Sequence, residues 1–96
     1  MHADTSSERG RRANTARRNA NRTRQKALNE LRLLRDVALL GVNENVAAKL
    51  EGARRANVTA ERRRELVADL EAERRRRLAA VWADYRRKRD TLKASV

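Results

Sequence analysis

Arg9, Arg11, Arg12, Arg17, Arg18, Arg22, Arg24 and Lys26 put eight cations into residues 9–26 with no carboxylate between them. The chemistry open to such a run is anion neutralisation: guanidinium groups take phosphate oxygens in pairs, and each phosphate covered releases condensed counterions. A second group, Arg86, Arg87 and Arg89 with Lys88 among them, lies between Asp84 and Asp90 and is the secondary candidate for the same task. A third run, residues 74–77, is a different case. Four successive helical residues fan around the helix at about 100° each. Glu71 and Glu73 also stand four residues before Arg75 and Arg77, the favourable order for helix ion pairs. That run reads mainly as a solvated, ion-paired helix surface, with Arg74 laying its stem over an apolar stripe.

Little else in the chain could react. There is one histidine, His2, and no cysteine. No second ligand at metal spacing accompanies His2. The acids are spaced for helix ion pairs, not gathered for general acid–base work, so no enzyme, no metal and no cofactor is expected. Trp82 and Tyr85, three apart beside the basic run at 86–89, could stack on bases. At helical spacing they read better as anchors of a packed interface.

The total charge of +12 is unevenly distributed. Residues 1–26 hold eight basic side chains against two acidic ones, residues 27–58 hold five against four, and residues 59–96 hold twelve against seven. Only the N-terminal charge is unopposed, and it points to a polyanionic partner. The near-neutral middle points to packing against protein. Leu and Val together number 18, with no Phe or Ile. A fraction that low at high net charge borders on the composition of disordered chains, so folding is expected to need a second copy or a helical protein partner. No stretch resembles a signal peptide or a spanning helix. A cytoplasmic protein with no membrane contact is expected, with nucleoid association as its natural extension.

Three short stretches resemble known nucleic-acid-binding elements. Arg9-Gly10-Arg11-Arg12 resembles the core of an AT-hook, which implies Arg-Gly-Arg lying along a narrow minor groove; Arg12 replaces the hook's proline, so an extended backbone is not enforced. TARRNANRTRQK, residues 15–26, is similar to arginine-rich peptides that become helical in an RNA groove, with Arg18, Arg22 and Lys26 on one face. A DNA major groove would accept the same helix. Residues 37–50, or a frame on Ala48, Gly52 and Val58, resemble a helix-turn-helix. Both depart from its pattern, the first with a short Ala38-to-Gly41 interval and the second with Glu61 at an apolar position, and an ordinary helical hairpin competes with either.

With no proline and three glycines the chain reads as all-α. The expected architecture is a flexible basic arm over 1–20, a short helical hairpin at 21–40 and 43–56, and a long third helix at 59–94. Leu28, Leu31, Leu34 and Ala38, widened by Leu33, Val37 and Leu40, give helix 1 a broad apolar face. Gly41 is placed as a left-handed residue closing it, with Asn43 capping the next. Asn57 and Thr59 mark the start of the long helix. There the apolar residues, with Arg74 and Arg89 filling the gaps, follow repeats of eleven: 67, 78 and 89; 70, 81 and 92; 74, 85 and 96. At about 3.67 residues per turn such a stripe runs nearly straight. Val67, Leu70, Leu78, Val81, Trp82, Tyr85 and Leu92 are expected to form the interface of a coiled-coil dimer.

The function expected from these features is nucleic-acid binding, DNA favoured over RNA, in a regulatory role such as transcription control or an architectural one. A homo-oligomer would carry two arginine-rich arms. The rival expectation is a helical adaptor or scaffold whose C-terminal helix packs on a partner; an RNA- or ribosome-associated protein lies between the two.

Overall fold

In the computed structural model, the backbone of residues 2–95 and the side chains of residues 9–95 are described. The described chain is two helices, α1 (His2–Arg55, 54 residues) and α2 (Ala60–Ala94, 35 residues), with no strand among the described residues. They lie antiparallel in a molecule 89 Å long and 18 by 9 Å across.

The turn at 56–59 is built by local hydrogen bonding. Thr59 has an extended backbone (φ −63°, ψ 157°), and its side chain accepts from the Arg62 N–H at 3.1 Å, satisfying one of the free donors that open α2. The Val58 N–H donates to the Ala56 carbonyl at 3.0 Å, and the Arg63 guanidinium donates to that same carbonyl at 3.1 Å, tying the first turn of α2 to the end of α1. The start expected near Asn57 and Thr59 is therefore in place.

The break expected at Gly41 is absent. No described residue has a positive φ, and α1 runs through Gly41 without interruption. A helical glycine costs about 1 kcal/mol relative to alanine. Gly41 is exposed, while its neighbours Leu39, Val42 and Val46 turn towards α2, two of them buried, so packing on either side of the glycine carries the helix across. The expected hairpin of 21–40 and 43–56 is thus one helix, and the hairpin that forms is α1 against α2.

Burial on α1 follows the eleven-residue repeat read on the long helix. Positions 24, 35 and 46, positions 28, 39 and 50, and positions 31, 42 and 53 are all buried or half-buried. On α2 the same holds for 67, 78 and 89 and for 70, 81 and 92, while Tyr85 is buried and Arg74 is exposed. Two stripes of matching period let two nearly straight helices stay in register. The core is small: Leu28, Val42, Val46, Ala53 and Tyr85 are its buried apolar residues among those described.

Two further corrections concern what faces what. Val67, Leu70, Leu78, Val81, Tyr85 and Leu92, expected to meet another copy, lie on the side of α2 that α1 covers, half-buried apart from the buried Tyr85, with Trp82 beside them and partly exposed. The broad apolar face of helix 1 is split. Leu28 and Leu31 turn to α2, whereas Leu33, Leu34, Val37 and Leu40 are 64%, 64%, 59% and 57% exposed.

Beyond the end of α2, α1 continues alone. Every described side chain from Arg9 to Thr23 is exposed. This is the segment expected to form a flexible arm over 1–20; α1 extends across it as helix, with Thr15 and Thr23 bonding back to the carbonyls of Arg11 and Asn19 at 2.9 Å. About 22 residues of overhang reach roughly 33 Å.

Val46, 1% exposed, is the best-packed position of the seam. Val46→Ala should lower the stability of the hairpin by about 2 kcal/mol, and Gly52→Ala, where an added Cβ would meet nothing within 4 Å, should raise it by about 0.5–1 kcal/mol. Urea melts followed by circular dichroism would show both as midpoint shifts with an unchanged slope. A neutral Val46→Ala would contradict the seam.

Candidate nucleic-acid interface

The overhang concentrates the cations that the sequence singles out. Arg9, Arg11, Arg12, Arg17, Arg18, Arg22 and Lys26 are exposed and Arg24 is half-buried. None of the eight makes an ion pair among the described residues. At about 100° per residue, Arg11, Arg12, Arg18, Arg22 and Lys26 fall on the side of α1 turned away from α2, and Arg9, Arg17 and Arg24 on the side in line with α2. The charge therefore flanks the helix on both sides. Asn14, Asn19, Asn21 and Gln25 lie among these cations and supply neutral donors and acceptors.

The cations of α2 are mostly engaged. Arg87 and Lys88 both reach Asp84, at 2.6 and 2.9 Å, and Arg89 reaches Asp90 at 3.2 Å. The two cations hold the Asp84 carboxyl below its ordinary value, the Lys88 hydrogen bond being the larger cause. Of the secondary candidates Arg86, Arg87 and Arg89, only Arg86 lacks an acidic partner among the described residues. In the run at 74–77, Arg77 pairs with Glu73 at 3.9 Å and with Asn45 across the seam at 2.6 Å. The expected Glu71–Arg75 pair is not formed. Arg74 is exposed instead of covering the apolar stripe, and Arg74, Arg75 and Arg76 are exposed cations without an acidic partner among the described residues.

Trp82 and Tyr85 pack against each other and against α1, with Tyr85 buried and Trp82 38% exposed. Their rings meet edge-to-face with centroids 6.0 Å apart, and the Arg35 guanidinium sits 4.7 Å from the Trp82 ring centre and 4.6 Å from that of Tyr85. Arg35 also bonds Asp36 at 2.9 Å, which raises its already high pKa. Such a cation–π sandwich joins α1 to α2. The sequence marked the two aromatics as packing anchors; the cation from α1 that completes the cluster carried no signal of its own.

Two of the resemblances do not fit this geometry. The AT-hook core Arg9-Gly10-Arg11-Arg12 is helical, not extended. Residues 37–50 lie inside one uninterrupted helix, and the frame on Ala48, Gly52 and Val58 leads into an antiparallel hairpin, so neither is a helix-turn-helix. The stretch 15–26 is helical, as its resemblance to arginine-rich peptides requires. His2 starts α1 and its side chain lies outside those described. No helix is long and apolar enough to cross a membrane among the described residues. No protein-family profile, curated protein or solved structure matches the chain.

Because the folded-state pKa of Asp84 is depressed, its ion pairs contribute stability above the unfolded-state value, and that contribution is lost as pH falls through the folded-state value. Carboxyl-carbon NMR should show Asp84 titrating below a free aspartate. Replacing Lys88 with Gln should move it upwards, and no movement would remove Lys88 as the main cause.

Proposed function

We propose that this chain binds nucleic acid, duplex DNA ahead of RNA, through the basic overhang of α1, and does so as a self-associated helical protein in a regulatory or architectural role. The observation that carries the reading is the placement of eight cations, unpaired among the described residues, six of them on a helical end that projects past α2 and two, Arg24 and Lys26, at its root. An α-helix about 10–12 Å across fits the roughly 12 Å major groove of B-DNA. Inside a groove the phosphate ridges stand on both flanks, and a helix with cations on both flanks suits that setting better than a flat anionic surface. Arg11 and Arg18 would line one ridge and Arg9, Arg17 and Arg24 the other, with Asn14, Asn21 and Gln25 towards the base edges.

The exposed patch 74–76 and Arg86 lie on the other helix and add a weaker, longer-range attraction, screened beyond about 10 Å in ordinary salt. Their position fits the approach of a polyanion, not its fixation. No catalytic role is proposed. A cytoplasmic location with nucleoid association goes with this reading.

A second reading, the helical adaptor, is favoured by one specific observation: the exposed row Leu33, Val37 and Leu40. A row of that kind marks a protein contact. The two readings use different parts of α1 and are compatible.

Fluorescence anisotropy against labelled duplex DNA and hairpin RNA over a salt series tests the proposal. Full-length protein should bind duplex with a log–log salt slope equivalent to about six to eight phosphates. Arg17→Ala with Arg18→Ala should weaken binding similarly across sequences and reduce that slope by about two phosphates. Stronger binding to hairpin RNA would transfer the role to RNA. Unchanged binding after the double replacement would take the overhang out of the account.

A further inference from the structure

The side of α1 turned away from α2 carries an eleven-residue pattern of its own. Positions 11, 22, 33 and 44 are Arg, Arg, Leu and Glu; positions 15, 26, 37 and 48 are Thr, Lys, Val and Ala; positions 18, 29, 40 and 51 are Arg, Asn, Leu and Glu. At about 3.67 residues per turn these three rows form one straight strip. Along it the character changes in order: cations, then an exposed apolar centre, then carboxylates. Such an order is self-complementary only when two strips run in opposite directions.

We infer that the strip is a homodimer surface, on which α1 of a second copy packs antiparallel about a twofold axis at Val37. The inference rests on the self-association proposed above and assigns it to a face of α1 in place of the stripe on α2. With Val37 meeting Val37 of the second copy, Leu33 falls opposite that copy's Leu40, and Leu34 falls over Gly41. Arg22 falls opposite Glu51 of the second copy. Lys26 stands between that copy's Glu44 and Glu51, where it offsets the approach of Glu30 to Glu44. In a parallel pair the same strip would set Arg22 against Arg22 and Glu44 against Glu44, a like-charge arrangement that works against association.

Gly41 adds an independent observation. It is a helical glycine whose missing Cβ would meet nothing within 4 Å in the single chain. Neither a positive φ nor a close approach within the chain accounts for it. In the antiparallel pair it forms the hollow that receives Leu34. The pairing consumes Arg22 and Lys26 but leaves Arg9 to Arg18 of each copy beyond the other's Arg55. Two basic ends would then project in opposite directions, their centres on the order of 70 Å apart, so that one long polyanion could engage both.

The chain has no cysteine, so single substitutions report contacts without background. Under mild oxidation of the full-length protein, Val37→Cys should crosslink to itself, a mixture of Leu33→Cys and Leu40→Cys chains should crosslink faster than either alone, and Arg75→Cys on α2 should stay uncrosslinked. By sedimentation, Leu33→Asp with Leu40→Asp should weaken self-association about a hundredfold while circular dichroism remains helical, since both side chains are exposed in the hairpin. No nucleic acid is present in these measurements, so their outcome is separate from that of the anisotropy series. A native chain that sediments as a monomer at every concentration would overturn the inference; so would an Arg75→Cys chain that crosslinks as fast as the Val37→Cys chain, or faster crosslinking of Leu33→Cys alone than of the mixture.

Discussion

One narrow seam holds the two helices together, and the rest of the molecule hangs from it. Its apolar content is a handful of Leu, Val and Ala side chains, and it is pinned along its length by polar contacts: Lys49 to Glu73 at 3.1 Å, Arg77 to Asn45 at 2.6 Å, and Arg35 between Trp82 and Tyr85. Exposed ion pairs contribute at most about 1 kcal/mol each, so their main effect is on register. The apolar stripe permits several alignments of two helices; a cation that must enter a two-ring pocket permits far fewer. With that register and a turn of four residues, α2 ends beside the start of the α1 stripe, and the described side chains from Arg9 to Thr23 are left exposed.

Charge and packing then divide the chain between them. Among the described residues, several carboxylates of α2 and of the C-terminal half of α1 pair with neighbouring cations, as with Glu51 to Arg54 and Arg55, Glu65 to Arg62 and Asp84 to Lys88. From Arg9 to Asn29 there are no carboxylates at all. The overhang combines uncompensated positive charge with helix that lacks tertiary support. Most helical stability in proteins comes from tertiary packing, which the described overhang lacks, and repulsion between cations four apart weakens it further. Phosphates in a groove would relieve that repulsion, so that the proposed binding would be coupled to helix order in the overhang.

The sequence made the helical class legible, through the absence of proline and the apolar spacing, and it made the period of α2 legible because Val67, Leu70, Leu78, Val81 and Leu92 are well separated by polar residues. What that stripe packs on was not. An eleven-residue stripe is equally suited to another copy and to a second helix of its own chain, and the partner stripe on α1 is obscured by Leu33, Val37 and Leu40 on the opposite side. Gly41 misled for a local reason: a glycine after Leu39 and Leu40 has the form of a helix end, and only the burial of Val42 and Val46 on the same line as Leu28 and Leu39 shows that the helix has a reason to continue. At the candidate site, the basic run at 9–26 was legible in full because no acid interrupts it. In the run at 74–77 the Glu73–Arg77 pair forms and the Glu71–Arg75 pair does not, since spacing makes an ion pair possible without making it form.

Residue-resolved hydrogen exchange, with and without a duplex DNA longer than the molecule, tests the central claim most directly. In the free protein, amides of the seam around Val42, Val46 and Tyr85 should exchange slowly and those of residues 9–23 quickly, because only the former are closed by packing. With DNA, protection should rise across residues 9–23 while the seam is unchanged. Protection that rises at 74–77 and 86–89 and leaves residues 9–23 as they were would contradict the claim that the free end of α1 is the binding element.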